Sequence, residues 1–67
     1  MKSVIKIANM KSLADVNSIR EAISMNEGVI ACQINKEKQE VNVVYDKYFL
    51  NEDKLVQCLE DLGYTVL

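Results

Sequence analysis

The spacing of apolar side chains switches back and forth between two periods along this chain, and that alternation restricts the fold more than any other feature. Residues 2–8, "KSVIKIA", alternate loosely and are rich in β-branched side chains, so they read as a strand with Ile5 and Ile7 inward and Lys6 outward. From 13 to 25, Val16, Ile19, Ala22 and Ile23 recur at helical spacing, while Asn17, Ser18, Arg20, Glu21 and Ser24 cover the other face. "NEG" at 26–28 closes that helix, with Gly28 expected in the left-handed conformation that helix ends favour. "VIACQIN" at 29–35 and "EVNVVYD" at 40–46 read as two strands joined by the polar hairpin loop "KEKQ". The second of these strands puts Val41, Val43 and Tyr45 on one face. Asn51 is placed to cap a second helix, with Glu52 and Asp53 in the first turn, where the helix dipole favours negative charge. Leu55, Cys58, Leu59 and Leu62 form its apolar stripe, Gly63 ends it, and "YTVL" makes a short last strand. The order β-α-β-β-α-β predicts an α+β, ferredoxin-like sandwich: a four-stranded antiparallel sheet with both helices on one face, which buries both helical stripes economically.

Sixty-seven residues suffice for one domain, spanning 1–67. With 49% apolar residues, no Pro and two Gly, the chain is suited to dense regular structure rather than a disordered tail. Eight basic and ten acidic residues leave a net charge of −2 without a basic stripe, and the aromatics are three Tyr and one Phe, a poor composition for binding nucleic acid. No apolar run approaches the roughly 20 residues that span a bilayer. The opening "MKSVIKIANMK" is too short and too interrupted, by Lys6, for a signal peptide. A soluble, cytoplasmic domain without membrane contact of its own is the expectation. Cys32 and Cys58 with no His are too few for an iron–sulfur cluster or a zinc site of soft ligands, and nothing points to an oxidising compartment that would favour a disulfide.

The residues at the turns narrow the reading. "DVNSIREAISMNEGV", followed by "VNVVYD" and "LVQCLEDLGYTV", resembles the heavy-metal-associated domain, the family of copper chaperones and of the soluble N-terminal domains of heavy-metal P-type ATPases. The resemblance covers nearly the whole chain and rests on Met10, Val16, Ile19, Ala22, Gly28, Val29, Tyr45, Asp46, Gly63 and Tyr64 at matching offsets. It implies a metal loop of pattern Gly-Met-x-Cys-x-x-Cys after the first strand, with Met10 packed beneath it. Here Asn9 stands in place of the Gly, Ser12 of the first Cys and Asp15 of the second. Asn tolerates left-handed backbone, so the loop is expected to turn as usual. The two thiolates that the resemblance implies for Cu(I) are replaced by a hydroxyl and one hard carboxylate, which suit that soft ion poorly.

"SLAD" at 12–15 instead fits a close relative of the capping box: Ser12 accepting from the amide of Asp15, and Asp15 reaching back to the amide of Ser12. Cys32 and Cys58 are expected to pack as small hydrophobes on inward faces, far from this loop. Tyr64 is expected to lay its ring against Met10 and the start of the first helix. With no His, and no base near Ser12 other than Asp15, neither catalytic residues nor a cofactor are expected. The resemblance implies docking through the first loop, helix one and the loop before the last strand, which here gives Lys11, Ser12, Leu13, Asp15 and Tyr64. The expected function is a protein-interaction or regulatory module in metal (copper) homeostasis with weak or no metal binding. Its partner would be a metal-transporter domain or another copy of the chain. Two alternatives stand beside it: metal binding through Met10, Ser12 and Asp15, possibly shared across a dimer, and small-molecule sensing by a domain of the same general fold.

Overall fold

A computed structural model describes residues 1–67. Its elements are β1 (Lys2–Lys6), α1 (Leu13–Ser24), β2 (Val29–Asn35), β3 (Glu40–Tyr45) and α2 (Glu52–Asp61). The sheet is antiparallel in the order β1-β3-β2, so the cleanest alternating strand in the sequence occupies its centre. Val41, Val43 and Tyr45 of β3 are buried, facing a core that includes Ile5 and Ile7 from the first strand segment, Val16, Ile19 and Ile23 of α1, and Leu55 and Leu59 of α2. The one buried polar side chain, Ser3, pairs its hydroxyl with that of Tyr45 at 2.9 Å, and no buried side-chain N or O is left without a partner.

Three strands, not four, form the sheet. The C-terminal segment lies along the outer edge of the first strand but makes one antiparallel bridge, Ile7↔Val66. Two backbone bonds hold it, from Ala8 N–H to the Thr65 carbonyl and from Leu67 N–H to the Lys6 carbonyl, each 2.9 Å. The Thr65 N–H goes to the side chain of Asn9 at 2.9 Å, so a side-chain amide takes the place of a ladder bond. β1 likewise stops at Lys6 as a regular strand, although Ile7 keeps the expected inward position.

Both helices start where the sequence says they should. Asn51 caps α2, its side-chain oxygen accepting from Lys54 N–H at 2.8 Å. Gly63, at φ +94°, closes α2: its N–H reaches the Glu60 carbonyl and that of Tyr64 the Leu59 carbonyl, the paired bonds of a Schellman ending. Leu62, expected in the apolar stripe, serves instead as the C-cap and stays 46% exposed. Gly28 is left-handed (φ +99°) but does not end α1, whose C-cap is Met25 in right-handed conformation. It marks the entry into β2, where its carbonyl accepts from Asp46 N–H at 2.8 Å and a side chain would collide with Phe49.

Candidate functional site

The connection from β1 to α1, residues 7–12, and the first turn of α1 present the positions singled out in the sequence. Its chemistry starts with helix ends: the first amides of α1 have no partners within the helix and need outside acceptors. Ser12, in extended conformation, is the N-cap; its Oγ accepts from Asp15 N–H at 3.2 Å. Asp15 Oδ2 accepts in return from Ser12 N–H at 3.1 Å and also from Lys11 N–H at 3.0 Å. The capping box expected from "SLAD" is therefore present, extended by one residue.

The other carboxylate oxygen has a partner the sequence did not reveal. Tyr64 donates its hydroxyl to Asp15 Oδ1 at 2.7 Å, joining the start of α1 to the segment after α2. Backbone hydrogen bonding from Lys11 and then the Tyr64 hydroxyl hold the Asp15 carboxyl at about 2, below its ordinary 3.8. The same hydrogen bond, which only the protonated phenol can make, pushes Tyr64 up. Tyr64 packs against the core cluster, and its polar end fastens the loop.

Asn9 corrects a second expectation. It is not left-handed; the single non-glycine residue with positive φ is Gln39. Asn9 spans instead to the C-terminal segment, donating to the Gly63 carbonyl at 3.4 Å and accepting from Thr65 N–H. The loop is thus fixed by side-chain amides and one carboxylate rather than by a glycine turn.

The candidate residues fall into two groups. Lys11, Ser12 and Leu13 are exposed, with Leu13 at 69%, while Asp15 and Tyr64 lie half-buried behind them. Met10 is fully buried, whereas Ser12 is exposed and Asp15 half-buried. Nowhere do three His, Cys, Asp or Glu side chains assemble in metal-binding proximity. Three donors engage the two oxygens of the Asp15 carboxylate, and the Ser12 hydroxyl is occupied as a cap. This donor set is hard, hydrogen-bonded and short of sulfur, a poor match to a soft monovalent cation.

Cys32 faces the core from β2, half-buried, and burial pushes its thiol up despite the charge of Arg20 nearby. Cys58, also half-buried, sits between the helices, its sulfur 3.7 Å from the Ala22 carbonyl and 3.7 Å from the Asn26 amide. Neither makes a hydrogen bond to the Ser12 loop. The largest hollow, about 520 Å³ and wide open, runs along the β2–β3 hairpin between Gln33, Asn35, Lys36 and Asn42 and includes no residue of the Ser12 loop.

Comparison with known proteins agrees with this architecture. No protein-family model matches the chain. It is 26% identical over 66 residues to the copper chaperone CopZ of Staphylococcus haemolyticus (strain JCSC1435), covering 98% of this chain and 97% of that protein. The solved structure of a CopZ metallochaperone superimposes with a TM-score of 0.96 over the full length of both chains, at 22% identity. The fold is that of copper-chaperone-like, heavy-metal-associated domains. The yeast copper transporter domain Ccc2a, solved in apo and Cu(I)-loaded states, shares this heavy-metal-associated fold with a TM-score of 0.91 and 25% identity, over 97% of this chain and 89% of that one. Oxidized MerP from Ralstonia metallidurans CH34 does so with a TM-score of 0.93 at 24% identity, over 100% of this chain and 93% of that one. No helix is long and apolar enough to cross a membrane.

Proposed function

We propose that this chain is a metal-homeostasis module that acts by docking to a protein rather than by carrying Cu(I) on the Ser12 loop. The observation that carries the reading is the closed network of Ser12, Asp15 and Tyr64. At the positions where the resemblance implies two thiolates, the loop is shaped by its own hydrogen bonds and needs no metal to hold that shape. What projects from it is Lys11, Ser12 and Leu13, a cation and an apolar side chain on a rigid support, with Asp15 and Tyr64 behind them. Likeness to a copper chaperone and to copper-transporter domains supports placement in metal handling, and a soluble domain of a metal-transporting ATPase is the partner this reading favours. We assign no catalytic residue and no resident cofactor.

A two-dimensional amide NMR titration under reducing conditions tests this, first with Cu(I), Zn(II) and Cd(II), then with the soluble N-terminal domain of a copper-transporting ATPase from the same organism. The expected outcome is silence with each metal and shifts at Lys11–Asp15 and Tyr64 with the protein, abolished in Leu13→Glu. A Ser12→Cys/Asp15→Cys double variant should gain metal-dependent shifts across residues 9–16, establishing that the scaffold is competent. Wild-type shifts at Met10, Ser12 and Asp15 with micromolar metal would overturn the proposal.

A further inference from the structure

Met10 is the most deeply placed residue of the Ser12 loop, yet it lies outside every strand and helix. Its backbone N–H and carbonyl, withdrawn from water, must find partners elsewhere. Both are supplied by one side chain across the fold. Gln39 Oε1 accepts from Met10 N–H at 3.1 Å, and Gln39 Nε2 donates to the Met10 carbonyl. Nε2 also donates to the Lys36 carbonyl at 3.0 Å, tying the amide into its own hairpin turn. The main chain of the same residue accepts from Ile7 N–H at 2.9 Å and donates to the Lys36 carbonyl at 3.2 Å.

The backbone of Gln39 makes this arrangement more telling. At φ +57° it is the chain's single non-glycine residue in left-handed conformation, a place where glycine is favoured and a Cβ is unfavourable. Strained backbone persists where the surroundings hold it there. Among the groups that hold it are the side-chain bonds to Met10 and Lys36, which glycine could not make. A primary amide carries a donor and an acceptor side by side, so it can imitate a peptide group of a neighbouring strand.

We propose that Gln39 is a positioning residue for the Ser12 loop. Its amide stands in for a strand partner of Met10, and the β2–β3 hairpin thereby sets the backbone from which Lys11, Ser12 and Leu13 project. The inference deepens the docking reading and rests on it for its functional meaning; its structural content is tested without any partner. Three variants separate the contributions. Gln39→Gly relieves the backbone and removes the amide, Gln39→Asn suits the left-handed backbone but falls short of Met10, and Gln39→Glu keeps an acceptor for Met10 N–H while losing the donor. Met10 amide exchange should be about tenfold faster in Gln39→Gly and Gln39→Asn, with intermediate protection in Gln39→Glu. In Gln39→Gly and Gln39→Asn the amide signals of Lys11, Ser12 and Leu13 should also shift, with the unfolding transition remaining cooperative. Shifts confined to the hairpin, with Met10 exchange as in wild type, would overturn the positioning role. Loop signals that move while binding to the ATPase domain is undiminished leave the positioning role standing and count against the docking reading alone.

Discussion

Asp15 shows how a single carboxylate can organise a loop when both of its oxygens have donors. Lys11 and Ser12 amides take one oxygen and the Tyr64 hydroxyl the other, all favouring the ionised form. Because its pKa is lowered in the folded chain, from 3.8 to about 2, the stability it contributes is complete above about pH 5 and is lost progressively as pH falls through that interval. Thermal melting between pH 5 and pH 2 should therefore show a steeper acid decline in wild type than in Asp15→Asn. In Tyr64→Phe a ¹³C carboxyl titration should find Asp15 moved up toward its ordinary value. An unmoved Asp15 would show that the Tyr64 hydroxyl does not bind it in solution. The Ser12 half of the network was legible from "SLAD", because its partners sit three residues apart and a helix start demands them. The Tyr64 half was not, since 49 residues separate donor from acceptor and no periodicity encodes that meeting. Asn9 and Gln39 were missed for the same reason: an amide side chain in a loop gives no sign of which backbone it will reach.

At the level of elements, the two glycines end or begin structure for different reasons, and substitution separates them. Gly63 is left-handed at the end of α2 with nothing within 4 Å of where a Cβ would stand. Gly63→Ala should therefore cost only the backbone conformation, about 1 kcal/mol. Gly28 has the same sign of φ, but its added Cβ would lie 2.7 Å from Phe49 Cβ, where the turn after β3 crosses the entry to β2. Gly28→Ala should cost about 2–4 kcal/mol in chemical denaturation, since both backbone and neighbour must yield. Equal losses for the two would refute the contact with Phe49. The sequence placed both glycines at turns but misassigned Gly28 to the end of α1, because a helix signal and a strand-entry signal three residues apart look alike. It also over-extended the sheet: "YTVL" has strand composition, yet only Ile7↔Val66 bridges, because Asn9 intercepts the next donor.

For the whole molecule, the apolar periods sufficed for the element order and the packed face, since twelve core residues fall on the faces that alternation and helical spacing select or on short connections between them. They said nothing about what fastens the two chain ends together. Those fastenings have a kinetic consequence. The hydrogen bonds Tyr64–Asp15, Asn9–Gly63 and Asn9–Thr65 span 49, 54 and 56 residues, so each closes most of the polypeptide into a ring. Closing so long a ring has an entropic cost that is recovered only once the intervening strands and helices are in place. Stopped-flow measurements on Tyr64→Phe should accordingly show faster unfolding and an unchanged refolding rate, the mark of a contact formed after the barrier. A slowed refolding limb would put the ends together early instead. On the expected order of events, the loop that presents Lys11, Ser12 and Leu13 is the last part of the molecule to acquire its shape and the first to relinquish it.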